Sequence, residues 1–142
     1  MEITATALQT VEENENIFFT DTVVSSKHCS SLYHRTGSGL VTLRGLGTQC
    51  RARFRVSFGA NVGLPTGGVP AEPITLAIAI NGEQVPSTTM ISTPAAVEEF
   101  NNVSTAIYLN VPCGCCSQVS VKNIGTDAIE VQNANLIVER VA

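Results

Sequence analysis

Residues 50–58, CRARFRVSF, set arginines at 51, 53 and 55 and apolar side chains at 52, 54, 56 and 58. A β-strand turns successive side chains to opposite faces. This period of two therefore puts Arg51, Arg53 and Arg55 on one face and Ala52, Phe54, Val56 and Phe58 on the other. The second face can join a core. The first must meet water or a partner, and three guanidinium groups in one row are dense for a solvated strand. The stretch predicts a half-buried strand, and the same two-residue rhythm continues on both sides of it.

Upstream, residues 3–11 alternate β-branched and small residues, and residues 16–20 form a short apolar strand after the acidic EENEN turn. Residues 31–35 (SLYHR) and 40–44 (LVTLR) flank TGSG as a hairpin. Downstream, residues 59–73 (GANVGLPTGGVPAEP) hold four glycines and three prolines, which predicts a long exposed loop. Residues 74–80 (ITLAIAI) end in Asn81-Gly82, the strongest hairpin signal in the chain. Residues 83–93 return from that turn, and residues 94–100 have the composition of a single helical turn. Further strands are predicted over 102–111, 117–124, 128–134 and 135–141, with PCGC as a turn. About nine or ten strands result, with turn signals spaced as in a sandwich or barrel. The expected fold is an all-β antiparallel jelly-roll sandwich spanning residues 1–142 as a single domain. Residues 1–21, an acidic N-terminal strand or arm, are a candidate for exchange between subunits.

Composition narrows the functional classes. Apolar residues make up 44% of the 142, which suits a folded domain, while only 14% are charged, against about 25% for an average soluble domain. So little charge favours burial against further copies of the chain. The formal net charge of -4 argues against bulk attraction to nucleic acid or an anionic membrane. No apolar run approaches the roughly 20 residues of a membrane helix. The opening MEITATALQT has neither the basic nor the apolar region of a secretory signal, so synthesis and assembly in a cytoplasm are expected. Charge is also unevenly placed. Arg35, Arg44, Arg51, Arg53 and Arg55 cluster, whereas Glu2, Glu12, Glu13, Glu15 and Asp21 occupy a segment with no base.

The pieces ITLAIAINGEQVP (74–86), STAIYLNVPCGCCSQVSVKN (104–123) and ANLIVERV (134–141) resemble the jelly roll shared by the globular heads of complement and the tumour-necrosis-factor cytokines. The resemblance covers roughly residues 50–142 and lies in the cadence of strand, hairpin, Pro/Gly turn and V-x-V strand. It implies a homotrimer. The family's glycine-tyrosine strand motif is missing and aromatics are only 5%, so an aromatic-lined trimer axis is not expected. Bacterial and phage relatives of that family serve as virion fibres, head decorations or spore-surface tips. The chain as a whole is similar in texture to small proteins of Gram-positive bacteria and their prophages.

Two constellations are candidates for function. Arg51, Arg53 and Arg55 form an interface or ligand strip, because planar guanidinium forks hold carboxylates in pairs. The competing reading is a solvated ladder against acids on a neighbouring strand. Glu98, Glu99 or the acidic arm are the expected partners. Cys113, Cys115 and Cys116 form a thiol or disulfide cluster. Free thiols are expected first, interchain disulfides second, and zinc with His28, Cys29 or His34 a distant third, since C-x-C-C lacks the spacing of a zinc knuckle. Cys29 and Cys50 read as small apolar fillers. His28 cannot easily activate Cys29, its neighbour on a strand, and His34 with Cys50 has no apparent orienting carboxylate. TGSG and GLPTGG lack the lysine and the helix of a phosphate loop.

The expected function is accordingly a non-enzymatic structural protein without cofactor or metal. It would be a homotrimeric jelly roll in a phage or prophage virion, assembled in the host cytoplasm, as head decoration or fibre module. Its partners would be its own copies and capsid or other virion proteins, with no nucleic acid and no membrane. The alternatives are a bacterial cell- or spore-surface filament protein of the same fold and a carbohydrate- or ligand-binding module.

Overall fold

The two-residue period is realised as twelve strands in the computed structural model, which describes residues 1–25, 31–48, 50–70 and 72–142. In chain order these are β1 (Glu2–Ala5), β2 (Gln9–Val11), β3 (Asp21–Val24), β4 (Leu32–His34), β5 (Val41–Arg44), β6 (Arg51–Gly63), β7 (Ile74–Ile80), β8 (Glu83–Gln84), β9 (Met90–Ser92), β10 (Asn101–Pro112), β11 (Cys116–Asn123) and β12 (Ile129–Arg140). All pairings between them are antiparallel. A front sheet has the order β10-β6-β12-β1-β3, with β2 also on β12; a back sheet has the order β4-β5-β11-β7-β8, with β9 also on β7. From β5 onward the long strands alternate between sheets (β5 back, β6 front, β7 back, β10 front, β11 back, β12 front). That crossing pattern makes the sandwich a jelly roll.

The alternation around Phe54 does what its period predicts. Ala52, Phe54, Val56, Phe58, Ala60 and Val62 are buried, whereas Arg51, Arg53 and Arg55 are exposed. The buried row meets Leu76, Ile78, Val119 and Val121 of the back sheet and Leu136 and Val138 of β12 in one continuous core. Burying a Phe or Leu side chain contributes about 1.5–3 kcal/mol, so these facing rows hold the two sheets together.

Several local expectations are corrected. The predicted loop over 59–73 begins later, because β6 runs on to Gly63 and Leu64 is also buried. Gly59 and Gly63 here mark close approach rather than a turn. A Cβ on Gly59 would lie 3.1 Å from Asn135 Oδ1, and one on Gly63 would lie 3.0 Å from the Glu99 carbonyl. The two strands expected over 128–134 and 135–141 are one, β12. Its Asn133 takes a positive φ of 53° and forms a bulge, where the register against β6 slips between Gln132 and Asn135. The same bulge explains why residues 3–11 make two strands: β1 pairs with β12 on one side of it and β2 on the other. Residues 94–100 hold no helix, and Glu98 sits at φ 60° in a turn. Residues 16–20 are not a ladder strand. The Ile17 N–H donates to Val121 of the back sheet and the Thr20 N–H to Thr4 of the front sheet, so the segment crosses from one sheet to the other.

The Asn81-Gly82 turn forms as predicted, with φ 52° and 87° at its two residues, the double positive φ of a type I′ hairpin. A Pro86–Thr88 3₁₀ turn interrupts the return. One buried polar group organises the base of the sandwich. Asn123 donates through Nδ2 to the carbonyls of Val11 (3.1 Å) and Asp127 (2.9 Å) and accepts from the Gly125 N–H (3.0 Å).

Candidate functional site

The arginine row lies on the outer face of the front sheet, where β6 is paired on both sides. On β10 the register sets Pro112 opposite Arg51, Asn110 opposite Arg53 and Tyr108 opposite Arg55; on β12, Glu139 is opposite Arg55. Past the end of β12, the Val141 N–H donates to the Arg53 carbonyl (2.8 Å) and the Arg53 N–H to the Ala142 carbonyl (3.1 Å). The backbone beneath the strip is thus fixed from both edges, and the side chains project from a rigid platform.

The three arginines differ in what they touch. Arg55 approaches the Glu139 carboxylate at 3.6 Å, with both side chains about half exposed, so the pair is a modest surface contact. Arg53 Nε donates to Asn110 Oδ1 at 3.3 Å. Among the described residues no carboxylate lies within ion-pair distance of Arg51 or Arg53. For Arg55 the outcome is the ladder with an acid on a neighbouring strand. Arg55 takes Glu139, its ladder neighbour, while Glu98 accepts a hydrogen bond from Thr66 (2.7 Å).

The next ladder rung runs Ala106, Ser57, Ile137, Glu2 and Val24 across β10, β6, β12, β1 and β3. Ile137 and Val24 are exposed, and Tyr108 in the arginine rung is 68% exposed. A shallow hollow of about 210 Å³ lies among Arg55, Ala106, Ile107 and Tyr108. The face therefore combines guanidinium groups at one end with small and apolar side chains at its middle. Tyr108 was the component missed from the sequence. Its place in an alternating strand showed that it faced Ala106 and Asn110, not that it would stand beside Arg55.

The thiol cluster is exposed at the turn between β10 and β11, where Gly114 takes a positive φ of 78°. Cys113 Sγ donates to the Gly47 carbonyl at 3.3 Å, and Cys116 opposes Arg44 on β5. Cys50 is exposed as well, not the buried apolar filler expected, because it falls just outside β6 where the core has ended. The Cys113 N–H donates to its carbonyl at 2.9 Å. Among the described residues no group of three or more His, Cys, Asp or Glu is placed to hold a metal ion. His34 is occupied elsewhere: Nε2 donates to the Ser38 carbonyl (2.9 Å) and the ring meets Phe19 edge-on at 6.4 Å between centroids. His28 and Cys29 lie outside the described residues. No helix among the described residues is long and apolar enough to cross a membrane.

No family model and no curated protein matches the chain. Among solved structures, the globular domain of zebrafish complement 1qA protein is 10% identical and superposes with a TM-score of 0.61, over 96% of this chain and 93% of that one. The C-terminal domain of EclA, a sugar-binding protein, is 12% identical, with a TM-score of 0.43 over 95% of this chain and 79% of that one. A family 35 carbohydrate-binding module from Clostridium thermocellum is 13% identical, with a TM-score of 0.39 over 96% and 98%. The last two superpose too loosely to define a shared topology. The complement domain establishes the fold: this chain has a jelly roll like that of the complement globular domain.

Proposed function

We propose that the chain is a non-enzymatic structural protein that assembles as a homotrimer through the outer face of its front sheet and serves on a phage or prophage virion, as head decoration or fibre module. The observation that carries this reading is the state of Arg51 and Arg53. Both stand on a strand held rigid from each side, and neither has a carboxylate partner among the described residues. Twelve acids against eight bases leave copies of the same chain able to supply those carboxylates. The exposed Ile137, Val24 and Tyr108 alongside give the face apolar area to bury. A mixed apolar and guanidinium surface has the composition of an interface centre, where Tyr and Arg are enriched.

Light scattering coupled to gel filtration tests the assembly. A mass three times that of the 15.0 kDa chain is expected, and a single-chain mass at micromolar concentration sinks the proposal. The setting is tested separately by mass spectrometry of purified, nuclease-treated particles from an induced host. Recovery of the chain with the capsid protein supports the virion role. Recovery only in the cell-envelope or spore-coat fraction replaces that role with the surface-filament alternative.

A further inference from the structure

The ladder that pairs β6 with β10 runs without a slip from Val62 opposite Asn101 to Arg51 opposite Pro112. One residue further out, the same register sets Cys50 opposite Cys113. The strand pairing ends at Arg51, but one backbone bond still links the two cysteines, the Cys113 N–H donating to the Cys50 carbonyl at 2.9 Å. Both cysteines are exposed free thiols, that of Cys113 resting on the Gly47 carbonyl at 3.3 Å. Directly opposed residues of an antiparallel pair turn their side chains to the same side, with Cα atoms about 4.5–5.5 Å apart. Disulfides span Cα separations of about 4.4–6.8 Å.

We propose that Cys50 and Cys113 form an intrachain cross-strand disulfide when the protein meets a low-molecular-weight disulfide, such as oxidised glutathione. One cysteine thiolate attacks the small disulfide, forming a mixed disulfide and releasing one small thiol. The second thiolate then attacks the protein sulfur of that mixed disulfide and releases the other small thiol. The two protein thiols are oxidised to one S–S bond, the small disulfide is reduced to two thiols, and the two thiol protons pass to the departing thiolates.

Cys115 and Cys116 are placed differently. The Cys115 carbonyl accepts the Gly45 N–H, and Cys116 opposes Arg44, so both belong to the back-sheet side of the turn. Cys113 alone among the three abuts the front-sheet ladder. The bond would close the end of β6 from which the arginine strip starts, joining the residues adjacent to Arg51 and Pro112. It stands on the register alone and is independent of the proposed assembly.

The test uses the wild-type chain, reduced, then exposed to oxidised glutathione without denaturant, alkylated, digested and mapped without reduction. Expected are a loss of two hydrogen masses per chain and one linked peptide pair carrying Cys50 and Cys113, with Cys115 and Cys116 alkylated. The oxidised form should melt roughly 10 °C above the reduced form. A Cys115→Ser/Cys116→Ser double variant keeps the linked pair, and Cys50→Ser abolishes it. A bond from Cys113 to Cys115 or Cys116, linkage between chains, arrest at the mixed disulfide, or no reaction would each overturn the proposal.

Discussion

The inner and outer rows of β6 are consecutive residues of one strand, yet they carry different parts of the molecule's behaviour. Inward, Phe54 and Val56 are fully buried and Ala52 and Phe58 nearly so. Outward, Arg51, Arg53 and Arg55 stand exposed, with one ion pair at 3.6 Å and one amide contact at 3.3 Å. A substitution inward changes whether the chain folds, because a close-packed interior has nowhere to put a void. A substitution outward leaves the core intact and changes what the sheet can meet. The period of two thus separates fold from association residue by residue.

The largest expected effect comes from the inner row. Phe54→Ala removes a fully buried ring between the sheets and should cost about 3–5 kcal/mol, read as a lower urea midpoint; an unchanged midpoint would erase the distinction between the rows. Asn123→Ala tests the polar exception to an apolar interior. It withdraws the amide that satisfies Val11 and Asp127 and should cost about 1–3 kcal/mol in the same measurement. Arg53→Glu belongs to the outer row. Its stability should stay within about 0.5 kcal/mol of the parent, while gel filtration shows the proposed oligomer dissociated; retained assembly would make the strip a solvated ladder. Glu139→Gln is the smallest change. Losing the half-exposed partner of Arg55 should leave assembly intact and alter stability by less than about 0.5 kcal/mol, and less still at high salt.

Much of the fold was legible because its signals are local. Alternation marked β6, β10 and β11, and Asn81-Gly82 fixed a hairpin through the backbone conformation those two residues tolerate. What escaped depended on partners distant in sequence. Asn133 reads as a turn residue, and only the neighbouring strands show that the chain bulges there and continues. Gly59 and Gly63 look like loop glycines until Asn135 and Phe100 are seen pressing on them. For the site, the alternation placed all three arginines on one face, but the partner acid is set by ladder register, which put Glu139 rather than Glu98 or Glu99 beside Arg55. The juxtaposition of Cys50 and Cys113 was invisible for the same reason.

The position of β12 has a kinetic consequence. It lies between β6 and β1 in the front sheet, yet it is the last of the twelve strands in chain order, and the Met1 amino group itself donates to the Val138 carbonyl at 2.8 Å. Until residues 129–140 leave the ribosome, β2, one side of β1 and one side of β6 have no mate, so the front sheet cannot close before β12 is made. Such long-range pairing slows folding and leaves strand edges open to wrong partners. Truncation before residue 129 should therefore yield a sticky, unfolded chain rather than a smaller domain, a result that limited expression trials and light scattering would reveal at once.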